Sequence, residues 1–147
     1  MKNITLNNVK DTAFLANESY KNAVENDENI NKENEMYKGK PLTNLATNSS
    51  FQVVEQTNED GGGFSGTVFK NTETNEYVIT FRGTELGDVW DYLDDVSMSL
   101  TNTGLLGGLN SEQFSQAFAS EQIARIQAQN PDAKISITGH SLGGALA

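Results

Sequence analysis

One serine in this 147-residue chain stands between glycines two positions away on either side, in Gly139-His140-Ser141-Leu142-Gly143. Attack by a hydroxyl on an ester carbonyl needs the oxygen held clear of its own backbone, next to N–H donors that receive the developing negative charge. A sharp turn from strand to helix meets both needs. The glycines remove side chains that would clash as the chain reverses, and the N–H of the residue after the serine faces the reacting oxygen. The partial positive charge of the new helix's first turn adds to that field. Ser141 is therefore the candidate nucleophile, and the Leu142 N–H a candidate oxyanion donor.

The flanking sequence supplies the elements such a turn requires. Lys134 to Thr138 alternates in the manner of a strand, and Leu142 to Ala147 opens with the small residues of a helix start. Before the strand, Asn110 or Ser111 can cap a helix whose apolar face is carried by Phe114, Ala117, Phe118, Ile123 and Ile126, with Asn130-Pro131 ending it. Thr101 to Leu109 reads as a glycine-rich loop. Phe51 to Glu55, Phe64 to Lys70 and Glu76 to Phe81 read as strands, and the polar turn Asn71 to Asn75 joins the last two into a hairpin. Val9 to Val24 carries Val9, Ala13, Ala16, Tyr20, Ala23 and Val24 at helical spacing, whereas Glu25 to Ser50 is polar and reads as a connector with at most a short helix. Helix, turn, strand, glycine turn and helix in succession imply parallel strands with crossover helices.

Two blocks, Phe81-Arg82-Gly83-Thr84 and Gly139-His140-Ser141-Leu142-Gly143-Gly144-Ala145-Leu146-Ala147, resemble the class 3 (fungal-type) lipase family of the α/β-hydrolase superfamily, in a bacterial-type member. The resemblance is specific from about Tyr77 onward. It implies a carboxylic-ester hydrolase acting on a lipid or other ester, with Ser141 as nucleophile and Thr84 and the Leu142 N–H forming the oxyanion hole. Asp91-Tyr92-Leu93-Asp94-Asp95-Val96 resembles the family's aspartate–aromatic segment, which makes Asp95 the candidate support of the oxyanion hydroxyl; a solvated acid is the competing reading. The same segment forms a lid in several members, where Leu86, Trp90 and Leu93 would shield substrate or simply pack. The implied fold is α/β, a partial α/β-hydrolase with a mixed sheet, an N-terminal hairpin, a crossover helix, a strand and the elbow, truncated after it. Residues 1–50 are then an N-terminal helix and polar connector, and 51–147 the first part of the hydrolase domain.

The pattern lacks a base. The single histidine is His140, whose side chain points away from that of its neighbour at such a turn, so packing is its expected role. In this fold the acid and base follow the nucleophile along the chain, which sets aside the aspartates at 88, 91, 94 and 95. The 147 residues are expected to be inactive alone and, with an unpaired strand edge, marginally stable or self-associating. The alternative is a non-catalytic hydrolase-like binding module or a gene fragment.

Composition narrows the rest. With 20 acidic against 10 basic residues, a net charge of −10, and no Lys or Arg from Gly83 to Ala124, the chain lacks the clustered cations that a nucleic-acid backbone demands. Without cysteine there are neither disulfides nor thiolate zinc sites. No cofactor is implied, and the acids between 85 and 95 read as a solvated face in preference to a metal site. No run approaches a membrane span, and the first residues lack the apolar stretch of a secretory signal. The cytoplasm and a signal-independent export route both remain open.

Overall fold

The computed structural model describes residues 6–24, 35–58, 65–82 and 104–140. They form helix α1 (Leu6–Glu18), strands β1 (Asn22–Val24), β2 (Glu35–Tyr37), β3 (Leu42–Asn44), β4 (Ser49–Asn58), β5 (Ser65–Asn71) and β6 (Glu76–Arg82), helix α2 (Gly104–Gln129) and strand β7 (Lys134–His140). β1 and β2 pair as a small parallel ribbon, and the other five strands make one sheet in the order β3-β4-β5-β6-β7. Its first four strands are antiparallel neighbours, while β7 runs parallel to β6 after the α2 crossover. The mixed α/β architecture and the β5–β6 hairpin agree with the sequence expectation.

Strand alternation sends side chains to opposite faces of the sheet, and two apolar clusters result. Val68, Tyr77, Ile79 and Phe81 meet Phe118, Ala119 and Ile126 of α2, whereas Phe51, Val53, Phe69 and Val78 meet Leu15 of α1. At the centre of the first cluster the Phe118 ring lies edge-on to Phe81, centroids 6.5 Å apart. It also covers Gly66, where an added Cβ would stand 2.6 Å from the ring. A residue without a side chain is thus needed to let helix and sheet approach.

Several local expectations are corrected. The first helix was expected to reach Val24 but stops at Glu18, and Asn22–Val24 is a strand. Its buried face is Leu15, Ala16, Glu18 and Ser19, and Val9 is 51% exposed. The Ser19 hydroxyl donates to the Ala16 carbonyl at 2.6 Å, a local bond that competes with helix continuation. The connector contains strands β2 and β3. Residues 104–109, read as a glycine-rich loop, belong to α2. The buried face of α2 takes in Ser115, Phe118, Ala119, Gln122 and Ile126, while Ala117 is exposed. Phe118 and Ile126 lie on it as expected, and polar Ser115 and Gln122 are the part an apolar count misses. β4 is longer than expected, and a bulge between Val53 and Glu55 turns Val54 outward.

Asp11 fastens α1 to the β3–β4 turn. Its Oδ1 accepts from Asn44 Nδ2 at 2.8 Å and from the Thr47 hydroxyl, and its Oδ2 from the Ser49 hydroxyl at 2.9 Å. Asn44 Oδ1 in turn accepts the Ala46 N–H at 3.1 Å, and Asn48 takes a left-handed φ of 60° that Asn tolerates. Asp11→Ala strands three donors in partly buried surroundings. It should cost about 1–3 kcal/mol, read as a lower urea midpoint at unchanged slope, with Asp11→Asn intermediate because it keeps one acceptor oxygen.

Candidate active site at the carboxyl ends of two parallel strands

β6 leads into Gly83-Thr84 and β7 leads into Ser141-Leu142. The two strands are parallel and hydrogen-bonded neighbours, with Phe81 opposite Gly139 and Arg82 opposite His140. Adjacent strands lie roughly 4.8 Å apart. The chain therefore enters both motif blocks from neighbouring strand ends at the same level, although 57 positions separate Thr84 from Ser141 in the sequence. Carboxyl ends of parallel strands are where open α/β sheets place ligands.

Ser141, Thr84, Leu142 and Asp95 themselves lie outside the described residues, as do Leu86, Trp90, Leu93 and the aspartates at 88, 91 and 94. His140 closes β7 through its backbone pairing with Arg82. Its side chain lies outside the described residues.

What the structure describes is the platform under these positions. Ile79 and Phe81 are buried against α2, and Thr80 is buried on the α1 side, its hydroxyl donating to the Thr67 carbonyl at 3.1 Å. Arg82 Nη1 donates to the Tyr20 carbonyl just beyond α1 at 3.2 Å. Gln56 of β4 donates through Nε2 to the Lys21 carbonyl and to the Thr67 hydroxyl, both at 2.9 Å, and accepts the Ala23 N–H at 2.7 Å. Nothing in the sequence marks Gln56 for this role, because a polar residue in a strand carries no sign of the backbone it will meet. Arg82 stands in the Phe81–Thr84 block, which implies no role for its side chain.

The opposite end of the strands is different in kind. A groove of about 410 Å³ runs between α1 and the first halves of β6 and β7, lined by residues that include Val9, Asp11, Phe51, Val78, Lys134 and Ile137. Ile137, the lining residue nearest the end of β7, is three residues before His140, roughly 10 Å along a parallel strand. This groove is therefore separate from the motif-bearing ends. Among the described residues β7 is also the outermost strand on its side, with Ile137 38% exposed.

Solved structures with the same fold are fungal lipases. A mutant form of MDLA from Penicillium cyclopium superposes with a TM-score of 0.59 at 20% identity, over 98% of this chain and 56% of its own. A second structure described as fungal lipases gives a TM-score of 0.59 at 19% identity with the same coverages. Lip2 lipase from Yarrowia lipolytica gives 0.50 at 24% identity, over 66% of this chain and 39% of that one. The chain thus spans between about two fifths and little more than half the length of these lipases. No curated protein matches it. Residues 11–147 match the family described as the Tle-like phospholipase domain, so this chain belongs to that phospholipase-like family, with the lipase-type α/β-hydrolase fold.

Proposed function

We propose that this domain is the nucleophile-bearing part of a serine carboxylic-ester hydrolase acting on lipid esters. Ser141 is the nucleophile, Thr84 and the Leu142 N–H form the oxyanion hole, and Asp95 orients the Thr84 hydroxyl. The observation that carries this reading is the parallel register of β6 and β7, which pairs Phe81 with Gly139 and Arg82 with His140, the first two residues of the two motif blocks. An elbow serine and its oxyanion partner have to come from neighbouring strand ends. The family's description as phospholipase-like and the fungal lipases of like fold support an acyl ester of a lipid as substrate. With twenty acidic residues against ten basic, uncharged or zwitterionic lipid is favoured over anionic lipid. Among the described residues, no helix is long and apolar enough to cross a membrane.

A serine is a weak nucleophile until a base removes its proton, and that base is normally a histidine held by a carboxylate. With His140 as the sole histidine, these 147 residues alone do not turn over ester, and acid and base come from further coding sequence or a second chain. The outer edge of β7, unpaired among the described residues, supports association, since such an edge is a template for another strand. A second reading, a non-catalytic hydrolase-like module, is favoured by that same lone histidine.

A fluorophosphonate, which modifies activated serines, separates the two. The full translated gene product should carry the label on Ser141 by peptide mass, and the isolated 147 residues should label far more slowly. Absence of label from the full product, under conditions that label a known serine esterase, would establish the non-catalytic reading.

A further inference from the structure

The sheet face turned toward α1 changes character along its length. Near the start of β6 it is apolar, with Phe51, Val53, Phe69 and Val78 around Leu15. Toward the end of β6 it becomes polar while staying covered: Ser65, Thr67 and Thr80 are fully buried, and Gln56 and Arg82 half-buried. The cover is the segment Ser19 to Ala23, which leaves α1 and enters β1. β1 pairs with β2 and not with the five-stranded sheet. The segment is attached to the main sheet by side chains instead. Gln56 bonds the Ala23 N–H, the Lys21 carbonyl and the Thr67 hydroxyl, and Arg82 bonds the Tyr20 carbonyl.

We infer that Gln56 and Arg82 are positioning residues, a brace that locks Tyr20–Ala23 to the end of β6 and so sets the direction in which the chain leaves toward Thr84. Arg82 is the last residue of β6 and adjoins Gly83. Its guanidinium, held on the α1 side by the Tyr20 carbonyl, restrains the backbone torsions from which the next residues depart. Gln56 keeps that carbonyl in place by fastening the next turn of chain on both its N–H and its C=O. A covered amide with its donors and acceptor all engaged tolerates little displacement, because each lost bond leaves a desolvated polar group. The inference rests on the ester-hydrolase reading for its consequence in catalysis, and on geometry alone for the brace.

Two measurements test it. Amide hydrogen exchange in the full translated product reads the brace directly: Gln56→Leu and Arg82→Met should each accelerate exchange at Ala23, whose N–H the glutamine holds, and Arg125→Met should not. Arg125 is the control because its contact with Glu55, at 3.2 Å, is a half-exposed pair on the α2 side. In the full translated product, Arg82→Met should lower kcat for p-nitrophenyl butyrate about 100-fold, the scale of a misplaced catalytic group. KM should change little, and the thermal midpoint should fall only by the few degrees that one lost hydrogen bond costs, leaving the enzyme folded at the assay temperature. Arg82→Lys, which keeps a cationic donor for the Tyr20 carbonyl, should recover a large part of kcat, and Gln56→Leu should lower kcat in the same sense. Unchanged exchange at Ala23 in both variants overturns the brace. A loss of kcat that tracks the thermal midpoint and is not repaired by lysine overturns the positioning role. Turnover that is absent from the full product, or that survives Ser141→Ala, defeats the hydrolase reading instead, and the exchange result still decides the brace.

Discussion

Ser141→Ala is expected to abolish ester turnover in the full translated product, by on the order of a millionfold in kcat, the loss seen when a triad serine is removed. Thr84→Val, which keeps the shape but deletes the hydroxyl, should cost about 100- to 1000-fold, the weight of one oxyanion donor. Both losses should fall on kcat, with KM little altered, because neither group is needed to hold the ground-state ester. The ordering separates the two roles. If Thr84→Val proved as damaging as Ser141→Ala, the threonine would be part of the nucleophilic step. If it were silent, the oxyanion would be held by backbone N–H groups alone. The physical ground for coupling these residues is the parallel β6–β7 register, in which Arg82 and His140 are directly opposed.

The second large effect concerns the core between α2 and the sheet. Phe118→Ala is expected to destabilise the fold by about 3–5 kcal/mol, the usual cost of emptying a buried aromatic site. Phe118 closes the contact with Phe81 and fills the space above Gly66. The complementary change tests the same contact from the sheet side: Gly66→Ala places a methyl 2.6 Å from the ring and should cost about 1–3 kcal/mol through overpacking. Because the two positions touch, their effects should not add. Gly66→Ala combined with Phe118→Leu is expected to be less destabilised than the sum of the single changes, measured by urea unfolding as a double-mutant cycle. Strict additivity would mean that the ring moves aside freely and that the glycine is not there to admit it.

Much of the platform was legible before any coordinates. Glu76 to Phe81 carries a short run of β-branched and aromatic residues, Lys134 to Thr138 alternates isoleucine with polar residues, and the intervening helix ends at Asn130-Pro131, so two strands with a crossover between them follow from local pattern. The polar turn at Asn71 to Asn75 was equally plain. Asn71 Oδ1 accepts the N–H groups of Glu73 and Thr74 at 2.9 and 3.1 Å, a short-range bond encoded by residue type. Long-range contacts are less legible. Val9 to Val24 keeps helical spacing throughout, yet the chain leaves the helix after Glu18, where the local Ser19–Ala16 bond is joined by Gln56 and Arg82, 33 to 62 positions away, which bind the backbone at Tyr20, Lys21 and Ala23. Leu42–Asn44 reads as polar connector, and becomes an edge strand because β4 offers it a partner.

The sequence by itself determined which residues are candidates for chemistry: a glycine-flanked serine, an Arg-Gly-Thr block, and one histidine beside the serine. These are properties of residue type and near spacing, which do not depend on the fold. Tertiary structure decided that β6 and β7 end side by side, with Arg82 opposite His140, and that Gln56 and Arg82 bond the backbone of the segment that follows the first helix. Pairing of strands separated by a 26-residue helix depends on burial and register summed over the whole sheet, and no local pattern encodes it.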